Sequence, residues 1–243
     1  MSPRFPRVSR TAALWLLIAL AAAFSLVAVW HDGDAQPQRK ASTVVGDTVW
    51  LAAPKADTTV SVEQALARRR SRRSFTGDSL TLSDVSLLVW AAQGITNERD
   101  FRTAPSAGAL YPLETYVAAA RVEGLTTGVY RYLPRQHMLV KLHDRDVRAE
   151  LAEAASGQPM FTKAPVVLII AADYKRTERK YGVRAERYVH IEAGAAAQNV
   201  YLMCEVLGLG TCLVGAFDDD ALRSVLGIDE LPMALMPVGV PSG

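Results

Sequence analysis

Residues 166–171 read Val-Val-Leu-Ile-Ile-Ala, six apolar side chains without a polar break. A run this short and this rich in β-branched residues predicts a strand buried on both faces, hence the middle of a sheet. Upstream, Thr115–Val122, Val129–Tyr132 and Met138–Leu142 predict further strands, joined by turns that contain Gly or Pro. Downstream, residues 184–207 predict one long helix ending at Gly208, then a short strand at Thr211–Val214. Asp218 caps a helix to Leu226 with Gly227 behind it, and Ala234–Val240 is the last strand. Three more helices are expected. One begins at Ser61-Val62-Glu63-Gln64, which fits a capping box, and one at Thr81-Leu82-Ser83-Asp84, with Gly94 as its end. The third covers 146–155 and stops at Ser156-Gly157. Hairpins and helices are mixed without regular alternation of strand and helix, so the fold class is α+β.

The chain has 243 residues, with 27 Lys and Arg against 25 Asp and Glu. Residues 1–30 hold Arg4, Arg7 and Arg10 and no acid, so the remainder is near neutral. Nucleic-acid binding needs a one-sided basic surface, and this composition offers none. Half of the residues are hydrophobic, which excludes global disorder. Two Cys (Cys204, Cys212) and four His are too few and too scattered for a disulfide scaffold or a zinc cluster. Both Cys read as small core residues.

Thr11–Trp30 is an uncharged apolar stretch, long enough as a helix to cross a hydrocarbon core. Arginines precede it, and Asp32 and Asp34 follow it. The positive-inside rule then predicts a single-pass anchor in the cytoplasmic membrane, with the main domain on the extracytoplasmic side. A cleaved signal segment with secretion of the domain is the competing reading. The expected organisation is therefore an anchor or signal at 1–30, a flexible linker at 31–48 and a single domain at 49–243.

Three segments carry chemistry. Arg68–Phe75 reads RRRSRRSF, with five arginines in six positions. Guanidinium forks and serine hydroxyls suit a phosphate. A solvated basic face is the alternative for such a run taken alone, but this one ends in a turn between two capped helices. Ala104–Pro112 places small residues between two prolines, which lets a backbone lie close against a flat ligand, although an ordinary loop has the same composition. Gly208–Phe217 is rich in glycine, but it follows a helix instead of opening one. It therefore fails the context of both dinucleotide-binding and P-loop motifs.

Four stretches together resemble the FMN-dependent nitroreductase superfamily, and within it the SagB-type (thiazole/oxazole-forming peptide) dehydrogenase branch. They are RRSRRSF at 69–75, APSAGALYPLE at 104–114, RYVHIEAGAAAQNVYL at 187–202 and GLGTCLVGAFDDDAL at 208–222. The resemblance implies a central, mainly antiparallel sheet flanked by helices. It also implies FMN as cofactor and a homodimer with FMN at the subunit interface. Residue by residue, it implies that Arg69 and Ser71 hold the phosphate and that Arg73 reaches the N1/O2 edge of the flavin. A cation there would stabilise the reduced, anionic ring. Pro105, Ser106, Ala107 and Gly108 would lie along the flavin, supplied by the other subunit. Backbone N–H groups of Val214, Gly215 and Ala216 would sit near flavin N5 and O4. Many nitroreductases complete the phosphate site with a basic C-terminal arm, whereas here Pro241-Ser242-Gly243 offers no cation, so either the arginine cluster suffices or FMN is held more loosely.

The resemblance also implies that Lys180 and Tyr181 are the base that removes a ring proton in azoline oxidation. On composition alone, these two residues read as a solvated helix start. Tyr111 and Tyr188 are further candidates for the substrate face. The expected activity is hydride or electron transfer between an organic donor and a conjugated acceptor such as a quinone, a nitro compound or an azoline, with azoline oxidation on a peptide as one candidate. A non-catalytic flavin-binding or accessory subunit of a peptide-modifying complex is the alternative. No metal is expected.

Overall fold

A computed structural model describes residues 43–45, 47–55 and 59–242. All of these belong to one unit, Arg39–Gly243. The expected anchor at 11–30 and most of the expected linker lie outside the described residues. Among the described residues no helix is long and apolar enough to cross a membrane.

In chain order the elements are β1 (Thr43–Val45), β2 (Thr48–Trp50), α1 (Val62–Arg68), β3 (Leu80–Thr81) and α2 (Leu82–Gln93). A 3-10 turn at Ala107–Ala109 leads to β4 (Leu113–Ala119), β5 (Val122–Glu123), β6 (Gly128–Leu133) and β7 (Met138–His143). Then come α3 (Arg148–Ala154), α4 (Met160–Lys163), β8 (Val166–Ala172) and α5 (Tyr174–Tyr181). A second 3-10 turn at Gly182–Arg184 precedes α6 (Ala185–Leu207), β9 (Gly210–Thr211), α7 (Asp219–Leu226) and β10 (Leu231–Gly239).

Eight strands form one sheet in the order β1-β2-β7-β6-β4-β8-β10-β9, and β3 and β5 form a small separate pair. Every pairing in the large sheet is antiparallel. The sheet begins at Thr43, inside the stretch expected as linker.

β8 is the central strand that its apolar run predicts, and all seven of its residues are buried. Its register explains why. Tyr116 of β4, Ile169 of β8 and Leu235 of β10 stand side by side, as do Val117, Leu168 and Met236. The first row faces a layer built by α3, α4 and α7 through Leu151, Phe161 and Leu222. The second row faces α2 and α6 through Leu88, Val89, Val189 and Ala196. Successive side chains of a strand point to opposite faces, so a strand covered on both sides needs no polar residue. Ile169→Ala would empty a fully buried site. It is expected to lower unfolding free energy by about 2–5 kcal/mol, measured by urea denaturation.

The helices begin and end where the caps put them. Ser61 and Thr81 both complete capping boxes, with Gln64 and Asp84 as the reciprocal partners. Asp218 accepts from Ala221 N–H, and Gly208 and Gly227 close α6 and α7 in left-handed conformation. Cys204 and Cys212 are both free thiols and both buried.

Candidate functional site

The arginine segment leaves α1 at Arg69 and runs extended beside the strand that follows α6. Ser71 bridges Thr211 in parallel, and Arg72 N–H donates to Thr211 O at 2.8 Å. Gly210 permits this approach, since a methyl group there would lie 2.8 Å from Arg72 Cβ and Cγ. Tyr201 of α6 ties the two segments together. Its hydroxyl accepts from Leu213 N–H at 2.8 Å and lies 3.0 Å from Ser71 Oγ. With Leu213 as its donor, Tyr201 can give its own proton to Ser71, which frees the serine proton for an outside acceptor. The Arg69 guanidinium lies 5.3 Å from the centre of the Tyr201 ring.

Among the described residues no carboxylate lies within salt-bridge distance of Arg68, Arg69, Arg70, Arg72 or Arg73. Guanidinium groups this dense and this unpaired favour an external anion. Val214, Gly215 and Ala216 continue from this point. Val214 N–H already donates to Leu235 O at 2.9 Å. Gly215 and Ala216 are exposed, and a methyl group on Gly215 would meet nothing within 4 Å. Gly215 and Ala216 therefore hold the available donors of this trio, while Val214 anchors the segment to β10.

The loop at Pro105–Tyr111 forms a second half. Gly108, Ala109 and Tyr111 have φ of 62°, 53° and 48°. Left-handed geometry costs a residue with a side chain about 1–2 kcal/mol, so two such residues in a row of four need outside support. Four contacts supply it. Ala107 N–H donates to Glu192 Oε1 at 2.8 Å, and Tyr111 N–H donates to Ser106 Oγ at 2.9 Å. Arg176 donates to Tyr111 O at 2.9 Å, and the Arg102 guanidinium stacks 4.6 Å from the Tyr111 ring centre. Glu192 is buried in α6, and burial pushes its carboxyl above the usual range, opposed by the bonds from Ala107 and Ser106.

Lys180 and Tyr181 reach this loop. They lie in the last turn of α5, and the chain reverses at Gly182, whose φ is 53°. A methyl group on Gly108 would sit 2.8 Å from both Lys180 Nζ and the Tyr181 hydroxyl. The Tyr181 ring meets Tyr188 edge to face at 4.9 Å. The pair is thus the end of a helix and not its start. Sequence reading gave Tyr201, Arg176 and Glu192 no role in the site. The available signals were a carboxylate and a tyrosine, Glu192 and Tyr201, flanking the alanine-rich middle of α6.

Among the described residues no hydrogen bond, ion pair or ring contact joins the two halves. Glu192 and Tyr201 are nine residues apart on α6, about 13 Å and two and a half turns, which puts them on opposite sides of the helix. Between them α6 turns Ile191 and Gly194 to solvent, Ile191 being 62% exposed. Ala193, Ala196 and Ala197 are buried in the core.

The profile of the Nitroreductase family matches residues 66–240. A protein of Methanocaldococcus jannaschii named as a nitroreductase is 50% identical over 195 residues, 80% of this chain and 98% of that one. An FMN reductase of Bacillus subtilis is 27% identical over 116 residues, 43% of this chain and 46% of that protein. The crystal structure of a Ralstonia eutropha protein, also named as a nitroreductase, superposes with a TM-score of 0.71 at 27% identity. That match covers 83% of this chain and 94% of the Ralstonia chain. The chain belongs to the Nitroreductase family, and it is an oxidoreductase of that family.

Proposed function

We propose that the protein is an FMN-dependent oxidoreductase, active as a homodimer, that moves hydride or electrons from an organic donor to a conjugated acceptor. One observation carries this reading: Tyr201 draws Arg69, Ser71 and the segment that leads through Leu213 to the exposed Gly215 and Ala216 together, and among the described residues no carboxylate pairs with these arginines. The residues fit FMN. Arg69 and the Ser71 hydroxyl suit its phosphate, Arg73 supplies a cation for the ring edge, and Gly215 and Ala216 are exposed with N–H groups not spent on the backbone. When bound, the flavin would supply the hydride chemistry. The chain's own part is to grip the phosphate, orient the ring and hold a proton-transfer group beside it.

The opposite placement of the two halves on α6 supports the dimer. One protomer would supply the arginine half and its partner the Pro105–Gly108 half of each site. A helix face bearing Ile191 and Gly194 suits close helix–helix approach.

Lys180 and Tyr181 against Gly108 favour a second, finer reading: dehydrogenation of a substrate that must lose a proton as it loses hydride, as in the SagB-type branch. In either version the domain would work from the extracytoplasmic face of the membrane, held by residues 11–30. An alkaline phosphatase fusion at the C-terminus is expected to be active on that reading.

Cofactor identity tests the proposal. Purified protein is expected to carry flavin released as FMN, to run as a dimer in sizing, and to be reoxidised by nitro or quinone acceptors after dithionite reduction. Colourless protein that takes up no added FMN would overturn the reading. Flavin that reduces but is reoxidised by no acceptor would favour a binding subunit.

A further inference from the structure

On the other side of the strained loop lies a cavity of about 420 Å³, within the size range of small-molecule sites. Ala109 and Tyr111 form one wall, and Leu133 and Pro134 of the β6–β7 turn form another. Four guanidinium groups line it, those of Arg99, Arg102, Arg131 and Arg135, against two carboxylates, Asp100 and Glu114. The carboxylates are already engaged. Asp100 pairs with Arg135, while Glu114 pairs with Arg131 at 3.2 Å and with Arg176 at 2.5 Å.

Arg99 and Arg102 are left over. The Arg99 side chain is exposed and makes no hydrogen bond or ion pair among the described residues. Arg102 is half-buried, yet its partners are all neutral: Gln93 Oε1 at 2.7 Å, Leu113 O at 3.5 Å and the Tyr111 ring. Its Nε is buried without a partner. Burial pushes this guanidinium below the usual arginine range, with Glu114 opposing from a distance. A desolvated cation whose carboxylate neighbours, Glu114 and Glu192, act only from beyond salt-bridge distance is costly unless a ligand completes it. An aromatic ring and two aliphatic side chains beside it suit an apolar body attached to the anion.

We propose that this cavity binds a small organic anion, its carboxylate or phosphate group on Arg99 and Arg102 and its apolar body against Tyr111, Leu133 and Pro134. The site is separate from the arginine groove at Arg69–Arg73 and does not depend on flavin. It shares the loop with the other face, since Gly108 meets Lys180 while Ala109 and Tyr111 meet the cavity.

Fluorine NMR titration of the purified full chain tests it, with 4-fluorobenzoate and 4-fluorophenyl phosphate as probes and 4-fluorobenzamide as the neutral control. At least one anion is expected to bind saturably, and the amide is not. Arg99→Glu and Arg102→Gln are each expected to weaken binding about tenfold or more, the scale of a lost charge-assisted hydrogen bond. Arg69→Ala is expected to leave it within about twofold, a difference too small for a lost contact of that kind. Preference for benzoate or for phenyl phosphate would support the site and tell which anion it takes. Absence of saturable binding, equal binding of the amide, or binding unaffected by Arg99→Glu would overturn the proposal. Arg99→Glu alters an exposed side chain without contacts, so misfolding does not obscure that result. Loss of binding in Arg69→Ala would place the anion in the other groove and also overturn it.

Discussion

The Arg69→Ala protein is expected to bind FMN about tenfold to a hundredfold more weakly than the parent chain. The reasoning starts from the local geometry. Arg69 is the guanidinium held over Tyr201, beside the serine whose proton Tyr201 frees. A charge-assisted hydrogen bond contributes about 1.5–3 kcal/mol, and each 1.4 kcal/mol is a factor of about ten in affinity. Stability should change little, since Arg69 makes no ion pair among the described residues and its backbone bond to Ala65 O survives. Fluorescence of released flavin on dilution measures the effect. Arg73→Ala is expected to act differently, by making the bound flavin harder to reduce, because its cation is assigned to the ring edge. Unchanged affinity in the first variant and unchanged reduction kinetics in the second would remove both residues from the site.

Gly108→Val is the second large effect. Two costs coincide there. The backbone sits at φ 62°, where a β-branched residue is strained by about 1–2 kcal/mol. The new side chain would also enter the space of Lys180 Nζ and the Tyr181 hydroxyl, 2.8 Å from each. Lys180 can swing away, but Tyr181 is fixed edge-on against Tyr188. The loop must therefore shift, taking Ala107 from Glu192. Turnover of a nitro or quinone acceptor is expected to fall by about tenfold to a hundredfold, the scale reported for misplaced positioning elements. Wild-type turnover in a folded Gly108→Val protein would show that this loop and the Lys180–Tyr181 pair lie away from the chemistry.

Much of the fold was legible because the sequence marks it locally. The capping residues at Ser61, Thr81 and Asp218 and the glycines at 208 and 227 set helix ends to within a residue or two. The uninterrupted apolar run of β8 revealed a strand covered on both faces. Helix α5 was not legible. It is nearly all polar and buries only Thr177, so no apolar stripe announces it. Its start depends on the Asp173 side chain accepting from Lys175 N–H, a contact between two residues in a charged stretch. Missing α5 also hid how Lys180 and Tyr181 reach Gly108, because that contact joins residues more than 70 positions apart. The motif segments could be quoted from the sequence. Their meeting on Tyr201, and the spent N–H of Val214, required the bridges Ser71–Thr211 and Val214–Leu235.

Helix α6 lends one flank to each half of the site, Tyr201 on one side and Glu192 on the other. On the two-subunit reading, every catalytic centre is a joint property of two polypeptides. A pair assembled from one chain damaged at Arg69 and one damaged at Gly108 would hold one doubly crippled centre and one intact centre. Two inactive alleles could then rescue each other in the same cell, without any exchange of sequence.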